Sequence, residues 1–138
     1  MHADDDQFTT ELYDVLKLFR GDWYLTVLTL LRHGPRRPAE LDKATCHWGF
    51  HDRWAQTKRR ISHSQIADAL SALTATGLIQ RRELAGGFHR SVTYSLTPAG
   101  EECLAALDDL RHWLRRHPNV LDNAINHYHQ THRRQTLA

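Results

Sequence analysis

The sequence predicts a mainly α-helical domain carrying one small β-hairpin wing, and three observations predict it. First, Ser62 and Gln65 stand at capping-box spacing, Ile61 and Ile66 flank them as a hydrophobic staple, and Ile66, Ala69, Leu70 and Leu73 follow at helical spacing. Second, Gly77 ends that helix and the period changes to two. Ile79, Arg81 and Glu83 alternate with Leu78, Gln80, Arg82 and Leu84; Val92, Tyr94 and Leu96 alternate with Thr93 and Ser95; Ala85-Gly86-Gly87 between them is a turn signal. Third, apolar stripes at helical spacing lie on both sides of this unit. A capped helix feeding a hairpin with arginines near its tip is the arrangement of a winged helix-turn-helix.

The elements follow in order. Phe8, Leu12, Val15, Leu16 and Phe19 share one face of a first helix, with Asp6 or Thr9 as its cap, and Gly21 breaks it. Asp22 can cap the next helix, from Trp23 to about His33, with Trp23, Val27, Leu28, Leu30 and Leu31 turned inward; Gly34-Pro35 stops it. Pro38 suits the first turn of a short helix to about Thr45. The stretch from Cys46 to Arg60 is aromatic and basic, and Asp52 is placed to cap a short helix over Arg53 to Lys58. Thr97 followed by Pro98 opens a helix to about Arg116, with Leu104, Leu107, Leu110, Trp113 and Leu114 on one side. Pro118 separates it from a last helix through Val120, Leu121, Ala124, Ile125 and Tyr128. We read residues 1–138 as one domain: a core over 22–96, flanked by helices within 8–20 and 98–137.

Composition narrows the class. The chain is 41% hydrophobic and 25% charged, which suits a globular domain with a core. The net charge is only +2, but it is unevenly spread. Residues 1–14 hold Asp4, Asp5, Asp6, Glu11 and Asp14 with no Lys or Arg, whereas residues 53–60 hold Arg53, Lys58, Arg59 and Arg60 with no acid. That basic block lies just before the capped helix, where phosphates would be met. Two cysteines, Cys46 and Cys103, fit a reducing cytoplasm rather than a disulfide framework. An acidic start is unlike a targeting segment, and no apolar run approaches a membrane span.

Here the residues resemble a known family. Gly77-Leu78-Ile79, Arg81, Val92, Tyr94-Ser95-Leu96-Thr97 and Gly100 look like the winged-helix signature of the HxlR family of bacterial transcription regulators, cousins of the MarR regulators. Asp22-Trp23-Tyr24, Leu28, Leu31, Gly34 to Arg37 and Glu40-Leu41 resemble that family's first two helices; Leu107, Leu110 and Trp113 resemble its last. The resemblance covers roughly Asp22 to Leu114 and implies a winged helix-turn-helix that binds double-stranded DNA as a homodimer. It also implies that the first helix joins the dimer interface. One departure stands out: between Leu41 and Ile61 the chain is longer than the family pattern.

Candidate site residues follow. On the capped helix the face opposite Ile66 and Leu70 carries Ser64, Asp68, Ser71 and Ala75, with Gln65 and Ala72 beside it. Ser64 and Gln65 are candidate base readers with His63 next to them, although Gln65 has an equal claim as the cap partner. Lys58, Arg59 and Arg60 are candidate phosphate contacts, and Arg81, Arg82, His89 and Arg90 flank the wing. Strand alternation lets only one of Arg81 and Arg82 face DNA. Phe8, Leu12, Val15, Phe19, Leu107, Trp113, Leu121, Ile125 and Tyr128 form candidate dimer surface, because their stripes exceed what a small core covers. Cys46, Trp48 and Trp54 are candidates for a sensor of redox state or of a small-molecule effector. The bland alternative is that Trp48, Phe50 and Trp54 tack the extra stretch to the body. Eleven histidines raise a metal site, but no CxxC or HExxH spacing supports it, and no cofactor is expected. No nucleophile elbow or phosphate-cradling glycine loop points to an enzyme. A winged helix that serves as a protein-binding adaptor stays open as a rival to the DNA-binding regulator, and repression is the expected mode of the latter.

Overall fold

The structure is a computed structural model describing residues 3–21, 23–46, 49–86 and 89–137, with backbone only at 85, 89, 90 and 134–137. Expectations for Asp22, His47, Trp48 and Gly87, and for the side chains of His89 and Arg90, lie outside the described residues. The chain runs α1 (Ala3–Leu18), α2 (Tyr24–Leu30) with a 3₁₀ turn over Leu31–His33, α3 (Pro38–Cys46), β1 (Phe50–Asp52), β2 (Thr57–Arg59), α4 (His63–Thr76), β3 (Ile79–Gly86), β4 (His89–Leu96), α5 (Pro98–Arg116) and α6 (Pro118–Leu137).

One core organises this order. Trp23, Val27, Leu28 and Leu31 from the α2 region meet Leu41 of α3, Ile61, the α4 stripe of Ile66, Ala69, Leu70 and Leu73, and Ile79 of β3. Val27, Leu28 and Leu73 are completely buried, so the expected inward face of α4 is the observed one. Gly77 ends α4 at φ 82°, a left-handed conformation in which a side chain is strained. Thr97 caps α5, its hydroxyl accepting from the Gly100 N–H at 3.1 Å. Gly100 has no room for more: a Cβ there would collide with the Leu78 carbonyl.

β3 and β4 form the wing, antiparallel, with Ile79 opposite Leu96 and Gly86 opposite His89. Ala85 and Gly86 therefore belong to the ladder rather than to the expected turn. Arg36 adds a short outer rung, its N–H donating to the Tyr94 carbonyl at 2.9 Å and its carbonyl accepting from the Tyr94 N–H at 2.8 Å.

Three other expectations need correction. The first helix begins at Ala3, so Asp6 and Thr9 are inside it and do not cap it. Asp4, Asp5 and Asp6 instead occupy its first turn, where the helix dipole favours acids. The second helix has Trp23 at its N-cap with no side-chain cap bond, and its end tightens into the 3₁₀ turn. The largest correction is the helix expected over Arg53 to Lys58, which is a two-stranded ribbon. Phe50 pairs with Arg59, His51 with Lys58 and Asp52 with Thr57. Asp52 does cap a turn, accepting from the Trp54 and Ala55 N–H groups at 3.0 and 3.1 Å. The turn does not propagate, because Gln56 takes φ 56° and reverses the chain.

The flanking helices behave unlike the core. α1 has no buried residue; Phe8, Leu12, Val15 and Leu16 are 65, 50, 47 and 74% exposed. α5 and α2 border an open groove of about 800 Å³ lined by Leu25, Leu104, Leu107, Leu110, Trp113 and Leu114 among others. α6 is partly occupied within the chain. Ile125 is buried, and Tyr128 meets Trp54 edge-on at 5.5 Å.

Candidate nucleic-acid interface

α4 is built to present one polar face. Its inward residues recur every three or four positions, so the intervening ones must point out. His63, Ser64, Ala67, Asp68, Ser71 and Ala75 are all exposed, in agreement with the helical spacing. The first turn is fixed by the capping box: the Ser62 N–H donates to Gln65 Oε1 at 2.8 Å, and the Gln65 N–H donates to Ser62 Oγ at 3.3 Å. A bidentate contact to adenine needs both ends of a glutamine amide. Gln65 already has its carbonyl oxygen engaged, so the cap is its role in this structure. His63 is also positioned, its Nδ1 2.8 Å from Asp42 Oδ2 on α3. Ser64 Oγ lies 3.2 Å from Ser62 Oγ. Ser64, Asp68 and Ser71 are exposed along the helix, Ser64 with its hydroxyl beside that of Ser62.

The wing separates its two arginines by strand parity. Arg81 lies on the side of Ile79 and pairs with Glu83 at 2.8 Å. That hydrogen bond, more than any other cause, raises its pKa. Arg82 lies on the other side, opposite Thr93, with no acidic partner among the described residues. Between the two, Arg82 is the one free to meet an external anion.

The basic block before α4 divides in the same way. The sequence groups Arg59 with Lys58 and Arg60, and the structure sets it apart. It is half-buried, 3.5 Å from Asp52 Oδ2, and its guanidinium lies 5.3 Å from the centre of the Trp23 ring. The Asp52 carboxyl is held below its ordinary pKa, first by the Ala55 N–H and further by Trp54 and Arg59. Arg59 thus faces inward, while Lys58 and Arg60 remain exposed. The alternation that separates them becomes visible only once residues 57–59 are known to be a strand.

Of the candidate sensor residues, Cys46 and Trp54 are described, and neither lines the groove between α2 and α5. Cys46 is exposed on the last residue of α3, and Trp54 sits at the ribbon tip against Tyr128. Phe50 meets the Trp23 ring edge-on at 6.0 Å. Phe50 and Trp54 therefore tack the ribbon to the body. Cys103 is half-buried on α5, and burial pushes its thiol pKa up. Among the described residues no three metal-ligating side chains come together. His129 is engaged with backbone, its Nε2 3.0 Å from the carbonyls of both Arg53 and Trp54. Among the same residues no helix is long and apolar enough to cross a membrane.

A capped helix on a three-helix core, followed by a two-stranded wing, defines a winged helix-turn-helix domain. Within that class, the sequence pattern of the HxlR-like helix-turn-helix family matches residues 18–121, and the chain belongs to this family. Solved structures agree on the fold. A protein described as a MarR-family transcriptional regulator from Enterococcus faecalis V583 is 24% identical, with a TM-score of 0.67 over 83% of this chain and 92% of that one. The reduced form of the transcriptional regulator YodB from B. subtilis is 20% identical, with a TM-score of 0.60 over 75% and 88%. The HTH-type regulator ytcD is 25% identical, with a TM-score of 0.60 over 78% and 96%. No curated protein matches the sequence.

Proposed function

We propose that the protein is a sequence-specific DNA-binding transcription regulator that acts as a homodimer and represses by occluding a promoter. The observation that carries this reading is the outward face of α4, where His63, Ser64, Asp68 and Ser71 are exposed on a capped helix next to the wing. Such a helix fits the major groove, and its first-turn residues reach deepest. Ser64 and Ser71 supply hydroxyls to base edges, and His63 acts beside them. Asp68 accepts from cytosine and repels misplaced phosphate. Arg82 holds backbone from the wing, with His89 and Arg90 as further wing candidates.

Exposed apolar surface supports the homodimer. α1 has no residue buried in its own chain, and Leu110 and Trp113 of α5 are 60 and 41% exposed. Surface of this kind is commonly covered by a second copy about a two-fold axis. Phe8, Leu12, Val15 and Phe19 with Leu107, Trp113 and Leu121 form the centre of that interface; Ile125 and Tyr128, already engaged within the chain, contribute less. A small-molecule effector would act by changing the spacing of the two α4 helices.

The test is selection of bound duplexes from a random-sequence library. The expected result is enrichment of one inverted repeat, its half-sites about 10 base pairs apart. Recovery of no preferred sequence from a folded protein would overturn the reading and favour the adaptor role.

A further inference from the structure

We infer that the β1–β2 ribbon is a second wing, whose outward face of His51, Lys58 and Arg60 rests on the DNA backbone beside the groove segment that α4 enters. This inference rests on the DNA-binding reading. Strand parity divides the ribbon cleanly. Phe50, Asp52 and Arg59 lie on the inward side, against Trp23 and one another. His51 and Lys58 are cross-strand neighbours on the outward side, and Arg60 follows Lys58 two residues on. The ribbon's one acid, Asp52, is therefore on the inward side, and the outward side is entirely basic or neutral.

Gly49 sharpens the arrangement. A Cβ there would lie 3.2 Å from Lys58 Cε and 3.3 Å from Arg60 Cγ. Both basic stems therefore pass over the bare glycine and stand side by side, which suits one run of phosphates. Neither Lys58 nor Arg60 has an ion pair among the described residues. Arg60 is two residues from the Ser62 cap, at most ~7 Å of backbone, so a helix seated in the groove brings these bases to the groove's edge.

The ribbon is also held in place, which a merely solvated loop does not need. Its base is anchored by Phe50 on Trp23. Its tip is latched to α6, where Arg53 pairs with Asp122 at 2.8 Å, His129 meets two ribbon carbonyls and Trp54 packs on Tyr128. Bases fixed in position lose less side-chain and loop entropy on meeting a phosphate. Regular polyanionic duplex, rather than an acidic protein surface, is the partner because the patch continues directly into α4.

The test uses the full chain, the duplex recovered by selection and a random-sequence duplex, with affinity measured across a salt series. Removing one cation from a phosphate lowers the slope of log K against log salt by about 0.9. The Lys58→Ala/Arg60→Ala variant is expected to lower the slope by about 2 on both duplexes, with affinity at least tenfold weaker near physiological salt. Lys58→Gln, which keeps the stem, is expected to lower it by about 1, and Arg115→Ala/Arg116→Ala at the end of α5 is expected to leave it unchanged. In the double ribbon variant, hydroxyl-radical footprints should show weaker protection at a confined backbone patch in each half-site. An unchanged slope and footprint in that variant, with normal wild-type binding, would overturn the second wing alone. A wild-type protein that binds neither duplex would overturn the DNA-binding reading with it.

Discussion

The two β-ribbons on either side of α4 reach similar hairpins by different routes. The β3–β4 wing pairs eight residues on each strand and joins the core through Ile79, Tyr94 and Leu96. The β1–β2 ribbon pairs only three residues on each strand. An isolated hairpin is marginal even when longer. The short ribbon therefore depends on what it touches: Trp23 at its base and α6 at its tip. The wing is specified along its own sequence, and the ribbon is specified by tertiary contacts.

Substitutions can separate these two kinds of specification. Leu73→Ala removes a completely buried side chain under α4 and is expected to cost about 2–5 kcal/mol, with both ribbons melting in one cooperative transition by circular dichroism and amide exchange. Phe50→Ala should cost less, about 1–3 kcal/mol for a half-buried ring. Its signature is local: amide protection falls over residues 50–59 and persists over 79–96. A fall in protection over both regions would erase the distinction between them.

Gln65→Ala removes one half of the capping box and is expected to lower stability by about 1 kcal/mol while leaving the ranking of DNA sites unchanged. A changed ranking with an unchanged melting temperature would restore Gln65 as a base reader. The smallest expected effect concerns Asp52. Its folded-state pKa is depressed, so its contribution is complete above the ordinary carboxylate value of about 3.9 and is lost as pH falls through the lowered value. The Trp54 and Ala55 amides should keep their protection from neutral pH down to about 5 and lose it only well into acid, whereas the wing, with no such carboxylate cap among the described residues, should not respond in step.

The same contrast explains what was legible. α4 is announced by its cap, its stripe and Gly77, and the wing by alternation that survives over many residues. In the ribbon, three-residue strands are too short for a period to register. Asp52 signals a turn equally well for a helix start and for a hairpin, and only the left-handed backbone at Gln56 decides between them. As a charge run, residues 53–60 group Arg59 with Lys58 and Arg60, and the parity that turns Arg59 inward is invisible without the strand. The groove between α2 and α5 is likewise hidden, because helical spacing identifies an apolar face without saying how much of it the chain itself covers. Ile125 and Tyr128 illustrate this: they share the expected stripe, yet the ribbon and its neighbours already occupy part of it.

Whether the outward face of α4 reads base edges decides between a regulator and an adaptor. The site preference of Ser64→Ala beside the wild type answers it, from the same random-duplex selection, with melting temperatures recorded for both. The predicted result is relaxed preference at one position in each half-site, where discrimination falls by about 1–3 kcal/mol, with an unchanged melting temperature. An identical preference in Ser64→Ala, Asp68→Ala and Ser71→Ala, from proteins that still bind DNA, would contradict base reading by α4.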